Sequence, residues 1–289
     1  MIWHDPPPCD RGIFSHSSNF LGKVCRVTIC DVLTTNLSAT RGRLRRRYKK
    51  PPIAEAVSEF QFRGASEWDW TILGLVYQEI KGEFPKKRQE KAFEINIAPQ
   101  EGKIERSVGG SLSKMQFLRE DGTAMVQVGP DLLGINVLPP YPGWEAFKAL
   151  IHRQFDVYCR IAHPIGFKRI GLRFINKIVF PSKEIETTDY FHYYPRLPGE
   201  LEQRHGPFAM RVFHTYEEER DVLNLQIGNL KPEDGNLIVA LDLDYYLAQP
   251  DKLELSKGLE WVSAAHEKIE NMFEACITDR TRGLFEEVK

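Results

Sequence analysis

The chain has 289 residues, of which 42% are hydrophobic, 11% aromatic and 27% charged, and its formal net charge is −1. These proportions are typical of a globular protein and exclude a collagen, a coiled coil or a largely disordered chain. The near-neutral charge is an average, because residues 1–50 carry ten basic and three acidic side chains, whereas residues 51–289 carry 29 basic and 37 acidic ones.

Five cysteines without close pairing, and no apolar run long enough to span a bilayer, favour reduced thiols in a cytoplasmic protein without membrane contact. Seven basic residues fall within the decapeptide RGRLRRRYKK at positions 41–50. Three interpretations remain open for the segment that contains them: an arm that contacts nucleic acid through phosphates, a disordered tail, or an extension from a wrongly assigned start codon. The residues of such an arm would be Arg43, Arg45, Arg46, Arg47, Lys49 and Lys50.

Regular elements are predicted from Pro51-Pro52 onward. The segment IAEAVSEFQF alternates apolar and polar residues, which indicates a strand over 53–62. Ser66 is a suitable N-cap for a helix over 67–83, where apolar residues recur at three- and four-residue spacing. Further strands are predicted over 91–98, 113–119, 123–129 and 132–138, with a polar loop over 102–113 and an Asp121-Gly122 hairpin turn.

A similar order of elements follows in the second half. The patterns predict an amphipathic helix over 142–160, a polar connection over 181–207, and strands over 167–180, 208–216, 221–230 and 236–246. The chain ends with a strongly periodic helix over 256–277 and a short helix over 279–287. Because tight turns join most of the strands, the sequence predicts an α+β fold of antiparallel sheets covered by amphipathic helices.

The element order suggests that a unit of four strands and one helix is duplicated, although residue identities do not repeat. The predicted organisation is a basic N-terminal extension over residues 1–46, a first α+β unit over residues 47–163, and a second α+β unit over residues 164–289 that packs on the first.

The stretch Tyr48-Lys49-Lys50-Pro51-Pro52-Ile53-Ala54-Glu55-Ala56-Val57-Ser58-Glu59-Phe60 resembles the opening motif of a sporadically distributed, uncharacterised family of bacterial proteins. The segments GLRFINKIVFP at 171–181, LDLDYY at 241–246 and the closing helix at 265–285 are similar to the same family. The resemblance covers about residues 47–288. It implies that residues 1–46 lie outside the shared region, and it implies no particular activity.

Two groups of polar residues are candidates for a site. Glu55 and Glu59 share one face of the first strand, where they are an acid–base pair or, as we favour, charges on the solvent side. Asp242 and Asp244 likewise project together from a late strand. They would form ion pairs with Arg169 and Arg173, which share a face near Asn176, if the two strands are neighbours; alternatively the aspartates hold Mg²⁺ or Mn²⁺.

The sequence contains no G-x-S-x-G elbow, phosphate-binding loop, dinucleotide-binding glycine motif or H-E-x-x-H zinc motif. The leading prediction is therefore a non-catalytic binding protein that takes a partner protein or small ligand on a sheet face or in a groove between the units, with no cofactor and no metal. One alternative is an accessory component of a defence or toxin–antitoxin module that touches nucleic acid through the basic arm only. Another is a metal-dependent enzyme that uses Asp242 and Asp244.

Overall fold

A computed structural model describes residues 46–64, 68–100, 103–196, 199 and 206–288, and of residues 90–113 only the backbone. Residues Arg46–Lys289 form one compact unit. The basic residues Arg43 and Arg45, like most of the predicted N-terminal extension, lie outside the described residues.

The described residues of this unit contain nine strands and five helices. The strands are β1 (Ile53–Arg63), β2 (Lys86–Gln100), β3 (Lys103–Leu118), β4 (Ala124–Gly129), β5 (Leu132–Val137), β6 (Gly166–Phe180), β7 (Ala209–Tyr216), β8 (Asp221–Asn229) and β9 (Leu237–Leu247). The helices are α1 (Thr71–Ile80), α2 (Trp144–Ala162), α3 (Thr187–Tyr190), α4 (Gly258–Cys276) and α5 (Asp279–Gly283), with short 3₁₀ turns at Pro250–Lys252 and Leu255–Lys257.

All nine strands belong to one sheet in the order β2-β3-β4-β5-β1-β6-β9-β8-β7, and every neighbouring pair is antiparallel. The predicted antiparallel α+β fold is therefore confirmed. Strands β1 and β6 meet at the centre, so the predicted boundary near residue 164 separates two halves of a single sheet. In the first half β1 pairs with β5, the last strand of the meander β2–β5, and α2 follows. In the second half β6 pairs with β9, the last strand of the meander β7–β9, and α4 follows. The duplication itself stays a prediction.

The three long helices pack on one face of the sheet. Phe60 of β1 lies 4.9 Å, ring to ring, from Phe155 of α2, and Tyr77 of α1 stacks on Phe117 of β3 at 5.2 Å. His266 of α4 stacks on Trp144 of α2 at 3.8 Å, which joins the two helices. Burying each such ring contributes about 1.5–3 kcal/mol, so this face carries the hydrophobic core. We call the opposite face of the sheet the open face.

One buried polar cluster anchors α4 to the sheet on the helix side. Asp221 of β8 is 1% exposed and accepts hydrogen bonds from the indole Nε1 of Trp261 (2.9 Å) and the hydroxyl of Tyr245 (3.2 Å). The guanidinium of Arg220 compensates its charge at 2.6 Å. A buried carboxylate without these donors would strongly destabilise the fold, so the cluster fixes where α4 crosses the sheet.

Several boundaries differ from the predicted ones. The predicted loop over 102–113 is wrong, because β3 continues through it and pairs with β2 along the whole hairpin, so backbone pairing overrides the glycines there. Helix α1 begins at Thr71, whose backbone N–H donates to Asp69 Oδ1 at 2.8 Å, while Ser66 lies outside the described residues. Among the described helices, none is long and apolar enough to cross a membrane.

Candidate functional site

Strand register places the sequence-predicted carboxylates and arginines together on the open face. Strand β6 lies between β1 and β9, with Arg169 opposite Gln61 and Arg173 opposite Asp244. A bulge at Lys168 adds one residue to β6, because Phe167 pairs with Phe62 while Arg169 pairs with Gln61. The bulge lets Phe167 remain in the core while Arg169 turns to the open face.

Arg169 bridges the strands on either side of its own. Its Nη1 donates to Glu59 Oε1 of β1 at 3.0 Å, and its Nη2 donates to Asp244 of β9 at 3.2 Å. The guanidinium also lies over the ring of Tyr246 at 5.2 Å. The predicted ion pairs therefore form, and one arginine holds three central strands together.

Arg173 and Asp242 form the second ion pair, with two parallel hydrogen bonds. Arg173 Nε donates to Asp242 Oδ1 at 2.9 Å and Nη2 donates to Oδ2 at 2.6 Å. This hydrogen bonding raises the pKa of Arg173. The Arg173 side chain is 44% exposed, whereas that of Asp242 is only 12% exposed, so the pair presents its cation to solvent and its anion to the sheet.

Gly171 makes room for the Arg169 guanidinium. A Cβ at position 171 would lie 2.7 Å from Arg169 Nη1 and 3.2 Å from its Cζ. Because van der Waals contacts of carbon begin beyond 2.7 Å, a side chain at position 171 would force the Arg169 guanidinium to shift away from its present hydrogen-bonding position. The glycine of the GLRFIN segment is therefore part of the site.

The site is rich in carboxylates, and this affects protonation. Glu55, Glu59, Asp242 and Asp244 face two arginines. Burial raises the pKa of Asp244, and the guanidinium groups of Arg169 and Arg173 oppose that rise without cancelling it. The ionised form of Asp244 is consequently less favourable in this site than it is in water.

Glu55 ends a chain of side-chain hydrogen bonds that the sequence did not reveal. Arg88 Nε donates to Gln116 Oε1 (2.6 Å), Gln116 Nε2 to Gln127 Oε1 (3.3 Å), Gln127 Nε2 to Asn136 Oδ1 (2.8 Å), and Asn136 Nδ2 to Glu55 Oε1 (2.6 Å). We call these five residues the amide relay. It runs in one direction from a cation to an anion across strands β2, β3, β4, β5 and β1.

The three amides of the relay are 3–9% exposed, yet each is hydrogen-bonded at both ends. Gly134 supports the relay much as Gly171 supports the ion pairs, since its Cβ would lie 3.3 Å from Gln127 Cβ. The available sequence signal was a single amide in an otherwise apolar strand, namely Gln127 in AMVQVG and Asn136 in LLGINV. A buried amide in such a strand requires partners.

Asn176 does not join this group. It lies on the helix side of β6, is 3% exposed, and donates from Nδ2 to the carbonyl oxygen of Leu241 at 3.0 Å. A bulge at Ala54, between the pairs Ile53–Asn176 and Glu55–Ile175, separates its position from that of Glu55. Asn176 therefore secures β6 against β9 from the opposite face.

The described basic residues of the predicted arm lie beside the C-terminal segment. Arg46 Nη1 binds Glu287 at 2.8 Å, Lys50 pairs with Glu286, and the backbone N–H of Lys49 donates to the Glu286 carbonyl at 2.9 Å. The carbonyl of Arg47 accepts from Val288 N–H at 2.7 Å. Part of the basic run is thus engaged by an acidic segment of the same chain.

Tyr48, the aromatic residue of the opening motif, is fixed in the same place. Its hydroxyl donates to Glu274 of α4 at 2.6 Å, and its ring contacts Phe285 edge-on at 5.5 Å. Burial, followed by the Glu274 hydrogen bond and charge, raises the pKa of Tyr48. The motif therefore has a structural role at its start, where it ties β1 to the end of the chain.

The acidic side chains of the open face are paired. Each carboxylate of the cluster accepts from an arginine or amide, which leaves none in the described network in the position of an unpaired base. Among the described residues, no group of three or more histidine, cysteine or acidic side chains is placed to hold a metal ion. Burial raises the pKa of the Cys276 thiol to about 12, which disfavours its thiolate form at neutral pH.

Comparison with known proteins adds no assignment to this geometry: no protein-family model matches the chain, and no curated protein matches it. The resemblance to a bacterial family stays a prediction.

Proposed function

We propose that the chain is a non-catalytic binding protein that docks a partner protein on the open face of its sheet. The observation that carries the proposal is the pair of arginines, Arg169 and Arg173, that fixed carboxylates hold partly exposed on the face opposite the helices. Fixed hydrogen-bonding groups lose little conformational entropy on binding, which favours recognition by such a surface.

The shape of the surface supports a partner protein over a small ligand. The polar side chains lie side by side on adjacent strands, whereas small-molecule sites are concave and enclose most of the ligand. The depression lined by Phe62, Trp68, Ile72 and Tyr158 lies on the helix side, away from this row. The arginines of the ion pairs are 30% and 44% exposed, which suits the polar surface of a protein interface.

The two alternative functions have less support. An accessory protein that contacts nucleic acid through its arm would need free cations, yet Arg46 and Lys50 are paired with acidic residues. A metal-dependent enzyme would need Asp242 and Asp244 as ligands, yet each accepts from an arginine. Neither is the function that we propose.

Two matched substitutions test the proposal. Arg173→Gln removes an exposed charge from the open face, and Arg160→Gln removes one from α2, where Arg160 pairs with Glu79 at 2.8 Å and is 61% exposed. With the full chain as bait in native lysate, we expect a protein that wild type and Arg160→Gln retain and Arg173→Gln loses about tenfold. Circular dichroism confirms that both variants are folded. Equal retention by all three baits, or nothing above background on wild type, would overturn the proposal.

A further inference from the structure

Strand β7 ends the sheet and leaves one side of its backbone without a partner strand in the described part of the chain. The backbone N–H of Asn229 donates to the carbonyl of Phe208 at 3.0 Å, and this pair sets the alternation of the β7–β8 ladder. In an antiparallel pair, every second residue turns its N–H and C=O to the neighbour. The even-numbered residues of β7 therefore bond to β8, and the odd-numbered residues Ala209, Arg211, Phe213 and Thr215 direct theirs outward.

The side chains of this edge differ from those of a protected edge. Natural sheets blunt their edge strands with lysine, proline or bulges. Strand β7 has the sequence AMRVFHTY, pairs with β8 in unbroken register, and contains neither lysine nor proline. Phe213 is 52% exposed on the open face, with the Arg211 guanidinium over its ring at 4.7 Å.

We propose that β7 pairs antiparallel with β7 of a second copy of this chain, about a twofold axis through Phe213. In this register Phe213 lies opposite its own copy, and Arg211 lies opposite Thr215 of the second chain. The outward groups of all three residues then form backbone hydrogen bonds across the axis, and the two phenylalanine rings lie within cross-strand contact.

Charge and chain geometry each disfavour one alternative register. A shift of the axis to Arg211 would set two guanidinium groups opposite each other, and like charges directly opposite destabilise a strand pair. A shift to Thr215 would bring Phe213 opposite Glu217, which has left the strand with φ of +49°. The register centred on Phe213 avoids both pairings, and it is the one that sets the two exposed rings directly opposite each other. A register centred on Val212 would instead place Arg211 opposite Phe213 and Thr215 opposite Ala209, so variants at Thr215 distinguish the two. The Phe213 register joins the two sheets into one and makes their open faces contiguous.

The experiment is sedimentation velocity of the full chain over a concentration series. Phe213→Pro removes an outward N–H and leaves the β8 ladder intact, a position at which edge strands accept proline. We expect the wild type to dimerise and Phe213→Pro to remain folded, by circular dichroism, and monomeric. A monomeric wild type at every concentration, or a Phe213→Pro variant that dimerises like wild type, would overturn the pairing.

Two further variants test the register. Thr215→Glu places a carboxylate opposite Arg211 of the second chain, and Thr215→Lys places an ammonium there. Because symmetry creates each pair twice, we expect Thr215→Glu to tighten dimerisation about fivefold and Thr215→Lys to weaken it about fivefold. Shifts of the same sign would refute the register. The result does not depend on the binding role of the open face, since dimerisation is measured without a partner protein.

Discussion

The two halves of the open face satisfy their polar side chains in different ways. In the half made of β2 to β5 and β1, the amide relay passes hydrogen bonds through three nearly buried, neutral amides. In the half that begins at β6, Arg169 and Arg173 pair with Asp244 and Asp242, and the arginines stay 30% and 44% exposed. Strand β1 joins the halves, because Glu55 ends the relay and Glu59 accepts from Arg169.

The difference follows from the cost of desolvation. A neutral amide can be buried when both of its ends are hydrogen-bonded, whereas burying a charge costs several kcal/mol even when it is paired. The relay half therefore buries its polar side chains, and the ion-pair half keeps its cations partly exposed. We expect the relay to act on stability and the ion pairs to act on recognition.

The largest expected effect comes from breaking the relay at its third amide. Asn136→Leu leaves the buried Gln127 Nε2 without its acceptor and removes the amide donor to Glu55. We expect the free energy of unfolding to fall by about 3 kcal/mol, since unsatisfied buried polar groups cost about 1–3 kcal/mol each. Urea denaturation of the full chain measures this.

The matched control is Gln61→Leu, on the same face. Gln61 is half-buried and makes one side-chain hydrogen bond, from its Nε2 to Glu59 at 3.0 Å. We expect a loss of about 0.5 kcal/mol. If the two substitutions cost the same, the relay is no more important to stability than an ordinary surface contact.

A smaller effect is expected in the ion-pair half from Gly171→Ala. The added methyl displaces the Arg169 guanidinium, which can turn to solvent, so the expected loss is about 1 kcal/mol. An Arg169→Ala background removes the three atoms nearest to the methyl, and there we expect Gly171→Ala to be neutral or to stabilise by about 0.5 kcal/mol through reduced freedom of the unfolded chain. A double-mutant cycle by urea denaturation resolves the two cases. If Gly171→Ala lowers the free energy of unfolding equally with and without the Arg169 side chain, the glycine is not there to make room for the guanidinium.

Periodicity predicted the elements of the fold well, because strands and helices with one buried face carry that face in their sequence. Alternation also predicted that Asp242 and Asp244 share one face of their strand and that Arg169 and Arg173 share one face of theirs. The register between β6 and β9 then brings the two pairs together. The amide relay could not be found in this way, because it joins five strands whose order in the sheet is not encoded locally. Asn176 lies apart from Arg169 and Arg173 because an even position of β6 faces the helix side, whereas those two odd positions face the open side.

The smallest expected effect is a pH dependence that belongs to the ion-pair half. Burial raises the pKa of Asp244 above its unfolded value, so the folded chain binds this proton more tightly. The stabilisation from Asp244 is then fully present below the unfolded pKa and is lost as pH rises through the folded pKa. Relative to Asp244→Asn, which does not titrate, wild type should gain stability as pH falls through the acid range.

Asp121 supplies the control with the opposite sign. Its pKa is lowered by the backbone N–H of Thr123 in the hairpin turn, so its contribution is present above the unfolded pKa and lost as pH falls through the folded one. Urea denaturation at a series of pH values should give opposite slopes for wild type against Asp244→Asn and against Asp121→Asn. If the free energy of unfolding changes with pH in the same direction in both comparisons, Asp244 is as well solvated as a turn residue. A difference in desolvation would then not explain why the two halves of the open face are built differently.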